Sequence, residues 1–465
     1  MHYAKPRGGK DPEGGLIENC ELPIVNCFVS LYQSNKTMTA EQHQIISLIQ
    51  REVVPAVGCT EPIAVALCAA VAAETLENRY PDRVEVRLSA NILKNAMGVG
   101  IPGTGMIGLP IAVALGVLHG DSSRELELLG SLATDQVADG KAFLSRNVIN
   151  ISLAEGAVPK LYIEVEVWHG SESARAVIAG AHSSVVLVER NGERLRGNGV
   201  VQDADENDEN SVSLSLRKVY DFAMQTSVED LEFIMETARY NMAAAEFSFR
   251  GEYGHGLGVM LRDSQRATII GDTLFARILS HTAGACDARM SGASLPVMSN
   301  SGSGNQGIAA TVPVVVYGRE CKATHEQMVR ALALSHLTVI YIKQGLGRLS
   351  ALCGCVVAAT GSSCGITYLM GGGYDEVAFA VKNMVANLTG MICDGAKPSC
   401  ALKISSGVST AVLSAMMAME HRCATSAEGI VDEDVDKTIR NLTDIGRDAM
   451  DETDRLILDI MTNKC

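Results

Sequence analysis

Aromatic side chains are scarce in this 465-residue chain, at 4% with a single tryptophan, Trp168. A core without rings is filled by Ala, Val, Leu, Met and Gly, and 44 glycines point to helices that approach closely. Positive charge is short as well. There are 39 Lys+Arg against 54 Asp+Glu, a formal charge of −15, with no basic cluster. That balance argues against a nucleic-acid surface and against a polybasic membrane-surface protein. The opening lacks an apolar run, because residues 1–15 carry Lys5, Arg7, Lys10, Asp11 and Glu13, so no signal peptide is expected. Thirteen cysteines are too few for a disulfide scaffold of this length, and the number is odd. Both points place the chain in the reducing cytoplasm, where clustered cysteines more often mean metal or catalysis. Hydrophobic residues at 47% exclude disorder for the bulk of the chain.

Two uncharged stretches test for a membrane span. Residues 349–374 are long enough to cross a bilayer, but Gly354, Gly361, Gly365 and Gly371 to Gly373 make them read as a buried helix and loop. Residues 99–118 are broken by Pro102, Gly103, Gly105, Gly108 and Pro110.

Residues 1–37 differ from the rest and read as an N-terminal extension, so that the fold begins near Met38. Thr39 to Gln42 is a capping-box pattern ahead of an amphipathic helix. Thr60-Glu61-Pro62 reads as a helix start with Thr60 as N-cap. Residues 84–90 alternate like a strand, and the later runs at 148–153, 160–168, 174–179 and 185–190 are joined as a small antiparallel sheet. Helices are expected at 110–119 and 125–146. Residues 202–210 form an acidic loop. From about 217 onward the pattern is helical, interrupted by Gly-rich loops at 291–307, 361–373 and 389–399. The expected class is α+β, with an α+β lobe over 38–215 and a helical lobe over 216–465.

Six cysteines crowd the last quarter: Cys353, Cys355, Cys364, Cys393, Cys400 and Cys423. Thiolates on separate helices can converge on an iron–sulfur cluster, but spacings of 40 and 7 between Cys353, Cys393 and Cys400 match no ferredoxin run. Cys355 competes with Cys353, and small buried hydrophobes are the plainer reading. Cys393 lies in a Gly/Pro turn, and Cys400 sits at an expected helix N-terminus, which favours an anion. Cys59, in PAVGCTEP, also precedes a helix, where a thiol pKa tends to fall, with Glu61 opposing. Ser301, Ser303 and Asn305 lie in SNSGSGNQG, a loop of backbone N–H groups suited to a carboxylate or phosphate. It lacks the GK[ST] of a P-loop and a preceding strand. Thr104 lies in a similar PGTG loop, preceded by Asn91, Lys94 and Asn95. His182 is a possible base, although a lone His is more often a satisfied core residue.

Five motifs then carry a resemblance. PAVGCTEP, NILKNAMGVGIPGTGMIGLPI, CDARMSGASLPVMSNSGSGNQGIAATVPVV, LSHLTVIYIKQGLGRLSALCGC and MICDGAKPSCALK resemble the L-cysteine desulfidase family, itself related to the iron–sulfur L-serine dehydratases through their alpha subunit. The resemblance runs in order over about residues 38–463. It implies one [4Fe-4S] cluster per chain, borne by the helical lobe, and conversion of L-cysteine to pyruvate, ammonia and hydrogen sulfide. It implies cluster ligands at Cys353, Cys393 and Cys400, choosing Cys353 over Cys355, and a proton acceptor at Cys59. Ser301, Ser303, Asn305, Lys94, Asn95, Thr104 and His182 are the expected substrate-binding residues. The expected partner is a small amino acid, with neither nucleic acid nor membrane, and a homo-oligomer is left open. L-serine dehydratase is the near alternative. A pyridoxal-phosphate lyase using Lys94, Lys343 or Lys403 is a second; a permease and a passive metal-binding module are remoter ones.

Overall fold

In the computed structural model, residues 38–130, 132–197, 212–263, 269–347 and 349–464 are described. The expected extension at 1–37, the acidic loop at 202–210 and Cys465 lie outside them. Helix α1 (Ala40–Glu52) opens on the expected capping box: Thr39 Oγ1 accepts from Gln42 N at 3.1 Å, and Gln42 Oε1 accepts from Thr39 N at 2.9 Å. Strand β1 (Pro55–Val57) leads to α2 (Thr60–Leu76). Cys59 itself is the N-cap residue there. Thr60 is already helical, and its hydroxyl bonds Gly302 O at 2.9 Å instead of capping.

Strand β2 (Arg83–Leu88) is followed by α3 (Ala90–Ala96), α4 (Leu109–His119) and α5 (Thr134–Leu144). The single helix expected over 125–146 is broken: Ser122–Glu127 form a 3-10 turn in which Glu125 has φ 46°. Strands β3 (Ile149–Leu153), β4 (Tyr162–His169), β5 (Glu172–Ala179), β6 (Val185–Arg190) and β7 (Glu193–Gly197) complete a six-stranded sheet of order β3-β2-β4-β5-β6-β7. It is antiparallel except for β2–β3, which is parallel because the chain returns through three helices rather than a hairpin. Alternation sets its two faces. Val84, Val86, Ile163, Val165 and Val167 are buried with α2 in one core. Arg87, Glu164, Arg175 and Glu189 form a charged ladder on the other face, where Glu164 accepts from Tyr162 at 2.6 Å and from Arg175 at 2.9 Å.

Beyond residue 215 the chain is helical: α6 (Leu216–Gln225), α7 (Val228–Leu231), α8 (Met235–Ser248), α9 (Leu257–Arg262) and α10 (Leu274–Met290). Strand β8 (Pro296–Met298) then pairs antiparallel with β1, so the 299–307 loop does follow a strand, though one of three residues. Helices α11 (Gly304–Glu320), α12 (His325–Leu346), α13 (Gly354–Leu369), α14 (Tyr374–Leu388), α15 (Cys400–Met419), α16 (Val435–Asp448) and α17 (Asp451–Thr462) follow. A second core joins these helices to α1 through Ile45, Leu48 and Ile49. The fold is α+β, with a small sheet and a mostly helical C-terminal part. Among the described residues, α15 alone is long and apolar enough to cross a membrane, and half of its apolar window is buried.

Glycine works inside helices here. A Cβ at Gly361 would lie 2.4 Å from Ser335 O, so this glycine lets α13 close on α12 and the loop expected over 361–373 shrinks to its last residues. A Cβ at Gly116 would lie 2.3 Å from Ala66 O, where α4 meets α2. Gly116→Ala should therefore separate these helices and cost about 1–3 kcal/mol, against the gain in helix propensity of about 1 kcal/mol from replacing glycine. A urea midpoint at or above that of the parent would show that the helices do not need this approach.

Candidate active site

The β1–β8 pair brings the Cys59 end of α2 to the loop before α11. Glu61, in the first turn of α2, is the hub. Its Oε2 accepts from Cys59 Sγ at 2.8 Å and from Thr60 Oγ1 at 3.2 Å, and its Oε1 accepts from Asn95 Nδ2 at 3.3 Å. Burial raises the Glu61 carboxyl, but His182, the Cys59 hydrogen bond and Arg289 outweigh it and hold the group below its usual range. Burial and the charge of Glu61 push the Cys59 thiol well above its usual value. The helix N-terminus was expected to lower it; the dry site and the adjacent carboxylate overcome the dipole.

Arg289, near the end of α10, donates to Gly58 O at 2.9 Å and to Asn305 Oδ1 at 3.1 Å. Cys286, one turn earlier, donates to the same Asn305 oxygen at 3.6 Å. Buried Cys286 in turn lies within electrostatic reach of Cys353 and Cys400. A chain of contacts therefore runs from the Cys59 end to the cysteines of the helical part. A Cβ on Gly354, next to Cys353, would meet Gln306 at 3.0 Å, which seats α13 on the start of α11.

Cys353, Cys393 and Cys400 are brought together, each within electrostatic reach of the other two. Segments 351–353 and 391–393 pair antiparallel, with Cys353 N donating to Met391 O at 2.9 Å and Cys393 N to Ala351 O at 2.7 Å. Cys353 is the N-cap of α13 and Cys400 the first residue of α15, so two helix N-termini face this sulfur-rich region. A hydrogen bond from Cys355, aided by Lys403, holds the Cys353 thiol at about 7, whereas burial pushes Cys400 up to about 11. Lys403 also grips the turn through Ile392 O at 2.9 Å and the Asp394 carboxylate.

Among the described residues no three His, Cys, Asp or Glu side chains close on a point that a single ion would occupy. A cluster asks for something else, since each thiolate binds a different iron. Two buried thiols, the half-buried Cys393, two helix N-termini and nearby Lys94 and Lys403 fit an anionic cluster of that kind. Asn95 Oδ1, Gln306 Oε1 and Arg289 Nε are buried with no hydrogen-bond partner among the described residues, as expected where a ligand completes a site.

The other expected residues are placed as follows. Asn95 and His182 gather around Glu61, and Asn305 lies between Arg289 and Cys286. The Lys94 ammonium is buried in an ion pair with Asp454, which also accepts from Asn91 at 2.7 Å. The Thr104 hydroxyl bonds Ile101 O at 2.8 Å and the Ser301 hydroxyl bonds Asn300 Oδ1 at 2.8 Å, both within their own loops. Ser303 is the N-cap of α11 and makes no side-chain cap bond. Of the lysines raised for a Schiff base, Lys94 and Lys403 are ion-paired, and Lys343 is buried in α12. Arg289, Cys286, Gln306 and Asp454 were missed. Arg289 left a usable trace: a charge three residues after Cys286 on one helix face. Asp454, far along the chain on α17, left none.

Comparison with known proteins adds the family. Residues 154–459 match the model of the serine dehydratase alpha chain. The chain belongs to that family. It is also 63% identical over 425 residues to a UPF0597 protein of Bacteroides fragilis, covering 91% of this chain and 99% of the relative. A UPF0597 protein of Porphyromonas gingivalis is 55% identical over 431 residues, with 92% and 99% covered. One of Oleidesulfovibrio alaskensis is 47% identical over 424 residues, with 91% and 99% covered. The relation to iron–sulfur serine dehydratases read from the sequence stands.

Two outcomes follow from the geometry. Asp454→Ala leaves the Lys94 ammonium buried without its partner and should cost about 3–5 kcal/mol, read as a lowered urea midpoint; a loss below about 1 kcal/mol would mean that Lys94 finds another partner. His336 supports the site loop from below, with Asn300 Nδ2 3.0 Å from its Nδ1 and Thr311 Oγ1 2.9 Å from its Nε2. Burial pushes its pKa down to about 3, below the unfolded value of about 6.5. The unfolded chain therefore binds the extra proton, and stability should fall by up to about 1.4 kcal/mol per pH unit as pH drops from about 6.5 towards 3. His336→Gln should flatten that part of the acid limb, and an unchanged slope would assign it to other groups.

Proposed function

We propose that this chain is an iron–sulfur lyase that degrades L-cysteine to pyruvate, ammonia and hydrogen sulfide. The observation that carries the reading is the gathering of Cys353, Cys393 and Cys400 at two helix N-termini, in a chain of the serine dehydratase alpha chain family. Held by those three thiolates, one [4Fe-4S] cluster per chain would supply an iron with no protein ligand, a Lewis acid toward the substrate.

The chain's own groups do the rest. Asn305 holds the substrate carboxylate through its amide, whose oxygen Arg289 and Cys286 already orient, and Ser303 adds a hydroxyl beside it. Cys59 takes the α-proton. The β-carbon–sulfur bond breaks, leaving aminoacrylate, which tautomerises and is hydrolysed to pyruvate and ammonia. Lys94 stabilises the site from behind through its ion pair, and the Thr104 and Ser301 hydroxyls keep their loops in shape. L-serine is a second substrate reading, favoured by the description of the matching family. The chemistry is the same, with hydroxide leaving in place of hydrosulfide.

The test is anaerobic purification with an iron and acid-labile sulfide count, followed by sulfide and pyruvate assays on both amino acids. Cys353→Ala, Cys393→Ala and Cys400→Ala should each lose cluster and turnover, while Cys355→Ser keeps iron near the parent level. A fully active protein with stoichiometric pyridoxal phosphate and no iron would sink the proposal. Faster turnover of L-serine would move the substrate assignment but not the chemistry.

A further inference from the structure

We infer that Glu61 is the acceptor and store for the Cys59 proton, so that the two side chains work as a relay during elimination. The inference rests on the reading of Cys59 as the group that takes the α-proton. Its own basis is geometric. The Cys59 thiol donates to Glu61 Oε2 at 2.8 Å, and both residues are buried. Two residues after the N-cap of α2, the carboxylate sits in the first turn, where helix N–H groups favour a negative charge. Asn95 from α3 donates to its other oxygen at 3.3 Å, and the Thr60 hydroxyl lies 3.2 Å away, its one proton shared with Gly302 O at 2.9 Å. The charged or titratable groups facing the pair are His182, from the loop after β5, and Arg289, from α10. A buried carboxylate held by the Cys59 and Asn95 donors, with His182 and Arg289 facing it, is built to stay ionised in the resting site. In the resting site the thiol keeps its proton and Glu61 stays ionised, so transfer along the 2.8 Å hydrogen bond is uphill and transient, completed as the α-proton is taken.

The proton count closes. The Cys59 S–H proton moves to Glu61 Oε2, giving a thiolate and a neutral carboxyl. The thiolate takes the α-proton of L-cysteine, and the Cα–H electron pair forms the Cα–Cβ double bond as the Cβ–S bond breaks. Hydrosulfide leaves with that bond's electrons and takes the proton stored on Glu61, becoming hydrogen sulfide. Cys59 is again a thiol, Glu61 again a carboxylate, and no oxidant or reductant is needed.

The test compares pH profiles. In the wild-type holoenzyme kcat should be flat from about pH 6 to 9, because the thiol passes its proton to Glu61. In Glu61→Gln, Cys59 must ionise to solvent. Turnover near neutrality should fall on the order of 100-fold or more and rise about tenfold per pH unit, with iron content at the parent level. A wild-type profile that itself rises tenfold per unit to pH 9 would overturn the relay, whatever the variant does. So would a Glu61→Gln enzyme with a flat profile and parental rate. Cys59→Ala separates the two readings: it should stop solvent deuterium entering the α-position at every pH. If exchange persists, the Cys59 reading fails and takes the relay with it. If exchange stops but Glu61→Gln keeps the flat profile, Cys59 stands and Glu61 does not.

Discussion

Negative charge buried away from water has to be met by positive ends, and that constraint organises the molecule. Glu61 is held in the first turn of α2, Cys353 caps α13 and Cys400 begins α15. Each is an anionic or potentially anionic group at a helix N-terminus, where unpaired N–H groups and the dipole favour it. Lys94, Lys403 and Arg289 supply the remaining compensation, each anchored in turn by Asp454, Asp394 or the Gly58 and Asn305 oxygens. Helix starts from both hydrophobic cores must therefore point at one place. The β1–β8 pair and the 351–353/391–393 pairing are the short clamps that aim them.

Close helix packing is what makes the aim accurate. With few aromatics, the cores are built from alanine, valine, leucine and isoleucine, and glycine lets some helices meet backbone to backbone, as at Gly116 on Ala66 and Gly361 on Ser335. Such contacts leave little room for a helix to slide, because the neighbouring carbonyl sits where a methyl would go. The result is a fold sensitive to a single added carbon at these crossings.

Much of this was legible in the chain itself. The capping box at Thr39, the alternation of the sheet strands and the helix beginning at Cys400 depend on neighbours a few residues away, so local pattern found them. Local pattern failed where a distant neighbour decided. Gly361 and Gly365 read as loop because glycine is a weak helix former, but α12 needs their missing side chains. The 148–153 run read as a member of an antiparallel sheet, but β3 pairs parallel with β2, a partner that alternation alone does not reveal. The low thiol pKa expected at Cys59 rested on the helix N-terminus with Glu61 only partly opposing, and burial together with Glu61 reversed it.

The same division holds for chemistry. Family motifs and residue types determined the class of protein and singled out Cys59, Cys353, Cys393 and Cys400, because the residue types that carry thiol chemistry are few and stand in recognisable neighbourhoods. Only the tertiary structure decided which groups face them: Arg289 on Asn305, Cys286 beside the cysteine set, Asp454 on Lys94 and Glu61 turned toward the Cys59 thiol. Those pairings join residues up to several hundred positions apart. Their energies depend on distance and burial, which a linear order of residues does not contain.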